Sequence, residues 1–189
     1  YFNLVPKSMP GLQWWGDICV RTDIENIKKI DTKSGKESIL VTLEEVNEAL
    51  KNGEMPYKLT GHIKPLRTLM AASLPWGDRN VITFTQYDDR TPGQKYMIWY
   101  DFSKKKIVNL FNLQGEGPTN FDFCKENGYM AYTIGNDLYV AHEGDFSSMV
   151  NPKVTGNQQQ EKDVVYGQAV HRNEFGIMKG TFWSPKGTY

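Results

Sequence analysis

Thr181-Phe182-Trp183-Ser184-Pro185-Lys186-Gly187 couples a β-prone aromatic run to a Pro/Gly turn, and the same pairing recurs upstream in degenerate form. Trp15-Gly16-Asp17-Ile18-Cys19-Val20 has a counterpart in Trp76-Gly77-Asp78 followed by Val81-Ile82-Thr83, and Phe123-Cys124 with Gly128-Tyr129-Met130-Ala131 has one in the phrase ending at Gly187. The anchors Trp15, Trp76, Phe123 and Trp183 are 61, 47 and 60 residues apart. Such offsets approach the roughly 40 to 50 residues of a propeller blade once loops are added. An aromatic, a turn and an antiparallel return, repeated, predict an all-β fold: a partial β-propeller of four-stranded antiparallel blades. An Ig-like sandwich has a similar strand count but does not predict the recurring phrase.

Between these phrases the chain keeps a strand, turn, strand rhythm. Residues 12–21 break at Gly16-Asp17, and the two strands around residues 27 and 41 break at Ser34-Gly35. Thr42, with Glu45 three residues on, forms a capping-box pattern; Leu43, Val46, Ala49 and Leu50 share one helical face and Gly53 stops it. One short helix near 43–52 follows, with Glu44, Glu45 and Glu48 on a solvated face. Strands are predicted next at 69–72, 81–87, 95–102 and 107–111, a four-stranded meander, and another meander starts near 120 and turns at Gly135-Asn136-Asp137. The Asn-, Gln- and Gly-rich stretch 142–162 reads as an exposed connection before strand-like Val164-Val165-Tyr166.

Composition narrows the functional classes. Lys plus Arg equal Asp plus Glu at 22 each, so no net field favours nucleic acid or an anionic membrane surface. No apolar run reaches the roughly 18 residues of a membrane helix. Two cysteines, Cys19 and Cys124, are too few for a disulfide framework and lack zinc spacing, leaving two buried thiols or one bridge between distant strands. No metal or cofactor is expected. The last phrase reaches Thr188-Tyr189 in mid-strand, so about three blades plus the start of a fourth are expected across 1–189, as the N-terminal part of a larger propeller; the alternative is that the final strand completes one of the earlier sheets. Since the chain opens at Tyr1 without a Met, an upstream segment is expected as well. Open sheet edges favour self-association, and a homodimer is an expectation of the same kind.

Self-contained chemistry is missing from the motifs. There is no Gly-x-Ser-x-Gly elbow, no Gly-x-x-x-x-Gly-Lys-Ser/Thr loop and no His-Glu-x-x-His pair, and His62, His142 and His171 are scattered. One polar run stands out: His171-Arg172-Asn173-Glu174, set between Tyr166-Gly167-Gln168-Ala169-Val170 and Phe175-Gly176-Ile177.

That run, with the phrase ending at Gly187, resembles the N-terminal propeller of the dipeptidyl peptidase IV family of serine peptidases. Gly11-Leu12-Gln13-Trp14 is similar to the opening of the bacterial prolyl tripeptidyl aminopeptidase branch. The resemblance implies an exported, periplasmic or extracellular, post-proline exopeptidase in which the propeller covers a C-terminal α/β-hydrolase domain. The catalytic Ser, Asp and His belong to that domain, and nothing in 1–189 matches it. The resemblance also implies a substrate: a peptide with a free N-terminus, whose amine is bound by a carboxylate at the position of Glu174. Dipeptidyl members typically carry two adjacent Glu there, whereas here the neighbour is Asn173, which leaves dipeptide against tripeptide release open. Arg172 pairs with Glu174 or a substrate carbonyl on this reading, or is an ordinary surface ion. A rival from another class is a stand-alone β-rich binding or scaffold domain without peptidase activity.

Overall fold

Period-two alternation punctuated by Gly and Asp turns yields ten strands and one helix in the computed structural model, which describes residues 11–52, 63–73, 80–113, 118–124, 126–142, 164–169 and 180–187. The strands are β1 (Leu12–Trp15), β2 (Ile18–Thr22), β3 (Asn26–Ile30) and β4 (Glu37–Thr42), then β5 (Val81–Tyr87), β6 (Lys95–Asp101), β7 (Lys106–Asn112), β8 (Thr119–Phe123), β9 (Tyr129–Ile134) and β10 (Asp137–His142). They form three antiparallel meanders, β1-β2-β3-β4, β5-β6-β7 and β8-β9-β10, in which every paired strand is a neighbour in sequence. Helix α1 (Leu43–Asn52) leaves β4 through the capping box that its sequence predicts: the Glu45 amide donates to Thr42 Oγ1 at 3.2 Å and the Thr42 amide to Glu45 Oε2 at 3.4 Å.

The meander count differs from expectation. Only the first sheet has four strands among the described residues, and 69–72 is not a strand. Residues 63–73 instead touch β5 at two separate points, a bridge from Ile63 to Asp88 and another from Ser73 to Thr83. Pro65 explains the break, because it has no amide to donate to a ladder. Its carbonyl instead accepts from Gln86 Nε2 at 2.8 Å. The Leu69 amide is drawn to Ile24 O at 2.9 Å, across to the first sheet. Residues 181–184, expected as strand, have no ladder partner among the described residues and run into a turn closed by the Gly187 amide on Ser184 O. Likewise 164–166 is not a strand.

The sheets stack face on face, and the middle one is buried on both sides. Alternation along β6 sends Tyr96, Ile98 and Tyr100 toward the first sheet and α1, where they join Trp15, Val20, Ile27, Val41 and Val46. Met97 and Trp99 point the other way, to Phe121, Met130 and Tyr132 of the third sheet. That explains why β6 reads as a nearly continuous apolar run rather than an alternating one. Trp99 meets Phe111 edge-on at 5.1 Å between ring centroids and Phe121 at 6.3 Å. Burial, with the charges of Glu45 and Asp101 adding to it, pushes the Tyr100 hydroxyl up to about 12, so it stays neutral.

Aspartates start the hairpin loops and cap them from within. Asp31 Oδ1 accepts the Lys33 and Ser34 amides at 2.9 and 2.7 Å, and Asp101 Oδ1 accepts those of Ser103 and Lys104 at 3.0 and 3.1 Å. Burial alone would raise the Asp101 carboxyl, but the Ser103 hydroxyl and Lys104 outweigh it and hold the group below its ordinary 3.8. The Ser34 amide lowers Asp31, and at Asp23 the Asn26 and Glu25 amides prevail over an upward push from burial. Each folded value lies below the unfolded one, so this stabilisation is complete above the unfolded value and is lost as pH falls through the folded values. Urea midpoints should therefore drop between about pH 5 and about pH 2, with Asp101→Asn flattening part of the slope. An identical slope in the variant removes Asp101 from the account.

Candidate functional site

The outer face of the third sheet carries the last two described segments, 164–169 and 180–187. The first is tied to the β9–β10 turn: the Tyr166 amide donates to Asn136 O at 2.9 Å and Gln168 Nε2 to Gly135 O at 3.0 Å. Gly167 adopts φ +65°, and a Cβ there would lie 2.8 Å from Leu138 Cδ1. A larger residue would have to push the Leu138 side chain aside, and the left-handed backbone itself favours glycine.

The second segment begins on top of the first. A Cβ on Gly180 would fall 2.6 to 2.8 Å from the backbone N, C and O of Gln168, so only glycine permits this approach. Gln168 and Gly180 are thus in backbone contact, and the polypeptide between them leaves and returns at one point above the β9–β10 turn. Beyond it, Trp183 Nε1 donates to Asp122 O at 2.9 Å and its ring stacks on Tyr129, 6.2 Å between centroids. Asn127 Nδ2 donates to Gly187 O at 3.0 Å.

Arg172, Asn173 and Glu174, the substrate-contacting candidates, lie between these two stems and outside the described residues, as does His171. The structure brings their flanks together. Gln168 and Gly180 have no role in the sequence reading; the only signal for them is that glycines bracket the polar run.

Two concave surfaces occur near described side chains. One, about 450 Å³, lies beside β8 and is lined by Asp122, Phe123, Cys124, Glu126, Phe182, Trp183, Ser184 and Pro185. Its thiol, Cys124, is 2 % exposed, and Cys19 and Cys124 are both free thiols. Nε2 of His142 lies 3.0 Å from Asn127 O and its ring packs edge-on against Tyr129, so it is turned to structure rather than to a nucleophile. The other, about 430 Å³, runs along α1 past Glu44, Asn47, Glu48 and Lys51 to Ile63 and Pro65. There Asn47 clamps Leu66 from both sides, accepting its amide at 2.7 Å and donating to its carbonyl at 3.0 Å. Glu45, expected on a solvated face, pairs with Lys105 of the β6–β7 turn at 2.5 Å. Among the described residues no three His, Cys, Asp or Glu side chains converge as a metal site, and none of their helices is long and apolar enough to cross a membrane.

Comparison with known proteins bears on residues 77–189, which match the family model of the dipeptidyl peptidase IV (DPP IV) N-terminal region. A solved Bacteroides ovatus ATCC 8483 protein assigned as a dipeptidyl aminopeptidase IV is 35% identical, with a TM-score of 0.63 over 96% of this chain and 22% of its own. Dipeptidyl peptidase 4 of Porphyromonas gingivalis is 15% identical, with a TM-score of 0.41 over 78% of this chain and 19% of its own. The chain therefore spans about a fifth of the length of these solved proteins.

Proposed function

Because the chain belongs to the dipeptidyl peptidase IV N-terminal-region family, we propose that it is the non-catalytic propeller portion of an exported post-proline aminopeptidase and that it supplies the carboxylate which anchors the substrate's amine. On this reading the three stacked sheets are successive blades, 164–187 opens a fourth, and the catalytic Ser, Asp and His sit in a C-terminal α/β-hydrolase domain of a longer polypeptide. The protein works outside the cytoplasm. Its substrate is a peptide with a free N-terminus.

The observation that carries the proposal is the backbone contact of Gln168 with Gly180 on the β9–β10 turn. That contact brings the two flanks of the polar run to one point on the third sheet. Glu174 suits the task because an ammonium has three donors and no acceptor, and a fixed carboxylate both pairs the charge and accepts a bond. Asn173 beside it offers a neutral acceptor for one of the remaining ammonium protons, and Arg172 reaches for a substrate carbonyl or steadies Glu174. Anchoring the amine at a fixed distance from the nucleophile makes the enzyme count residues from the substrate's end.

The test uses the full-length protein on matched proline-containing peptides, with free or acetylated amines. Acetylation should lower kcat/KM by about 10-fold or more, since it deletes a charge-assisted bond. Equal rates on both would end the proposal.

A further inference from the structure

Asn127-Gly128 lies in the turn between β8 and β9, and its side-chain amide is engaged at both ends. Asn127 Nδ2 donates to Gly187 O at 3.0 Å, and Asn127 Oδ1 accepts the Tyr129 amide at 3.3 Å. Gly187 comes in so closely that a Cβ on it would lie 2.3 Å from Asn127 Nδ2 and 2.5 Å from Cys124 Sγ. One carboxamide thus ties the end of segment 180–187 to the third sheet, and the buried Cys124 thiol lies under the same contact.

Asparagine is a chemically labile residue, most of all before glycine, whose backbone nitrogen no side chain shields. The Gly128 nitrogen can attack Asn127 Cγ. The new N–C bond forms, the Cγ–Nδ2 bond breaks, and the amide leaves as ammonia with the proton that the Gly128 nitrogen gives up. Water then opens the cyclic imide at either carbonyl, leaving aspartate or isoaspartate. In the docked state both reacting groups are held elsewhere, the carboxamide as above and the Gly128 amide by Cys124 O at 3.3 Å. Cyclisation therefore waits for the turn to open.

We propose that Asn127 is a self-modification site guarded by segment 180–187, and that its conversion releases this segment in one direction only. Either product sets a carboxylate oxygen against the Gly187 carbonyl, two acceptors with no proton between them. Isoaspartate also inserts a methylene into the backbone where Gly187 leaves no room for a Cβ. The segment cannot then redock as before, and Cys124 loses its cover. This goes beyond the proposed function and needs no role for Glu174.

Ageing of the full-length protein in mildly alkaline buffer tests it, beside a synthetic peptide spanning 124–130 that gives the unguarded rate. Asn127 should convert about 10-fold or more slowly in the folded protein than in the peptide. Trp183→Ala, which removes the neighbouring hold on Asp122 O, should restore most of that difference. Should Trp183→Ala not fold, Gly187→Ala takes its place, since its Cβ would strike Asn127 and Cys124. Aged wild-type protein is also pulsed with a maleimide and mapped on a proteolytic peptide that carries both Cys124 and Asn127. Converted molecules should label at Cys124 about 10-fold faster than unconverted ones. Equal conversion in protein and peptide removes the guard, and labelling that ignores conversion shows that the amide is not what holds the segment; either overturns the inference. So does the absence of conversion in either variant while the peptide converts fully. None of these outcomes touches the Glu174 reading, whose failure appears in kinetics on acetylated peptides.

Discussion

On the proposed reading, Glu174→Ala should lower kcat/KM of the full-length protein on free-amine peptides by about 10- to 150-fold, the equivalent of the roughly 1.5 to 3 kcal/mol of one charge-assisted hydrogen bond in a dry cavity. On acetylated peptides the same substitution has little effect, because the interaction it removes is already gone. Glu174→Gln falls between the two, since it keeps an acceptor of the same shape and loses the charge. The loss should appear with an unchanged thermal midpoint; a fall in stability equal to the fall in activity would make Glu174 a structural residue. Unaltered kcat/KM on free amines would remove it from the site.

Trp99→Ala should be the most damaging substitution for stability, at about 3 to 5 kcal/mol. Its indole is fully buried in the seam between the second and third sheets. Edge contacts to Phe111 and Phe121 add to the area term, each worth roughly 0.5 to 1.5 kcal/mol beyond burial. A domain stable by about 5 to 15 kcal/mol would lose a large share of its margin. Trp99→Phe keeps most of the packing and should cost less than half as much. Urea unfolding of the three proteins measures both, and a Trp99→Ala loss below about 1 kcal/mol would mean that the seam collapses around the cavity or is not packed as described.

How much of this was legible depends on range. Gly16-Asp17 and Gly135-Asn136 declare hairpins because tight turns need those residues, and Thr42 with Glu45 declares the start of α1; all three follow from contacts a few residues apart. The β-prone apolar run from Tyr96 to Tyr100 reads as a strand but does not announce the two opposite clusters it serves, since burial on both faces depends on sheets distant in sequence. Residues 69–72 failed as a strand for a nonlocal reason: the Leu69 amide is taken by Ile24, and Pro65 had already broken the ladder. The repeat phrase predicted stacked sheets but not their strand counts. For the site, Glu174 rests on resemblance alone, because one carboxylate in a polar run has no chemistry of its own, and it lies outside the described residues. Gln168 and Gly180 escaped notice because their importance lies in touching one another.

Among the described residues every hydrogen-bonded strand pair joins neighbours in the chain, so none of these ladders waits for a remote segment. The loops to be closed are short, which keeps the entropic barrier to each pairing low and lets each meander form as soon as it has left the ribosome. What remains for later is docking of finished sheets, face to face, and on that schedule the slow and vulnerable step in biogenesis is association of surfaces rather than pairing of strands.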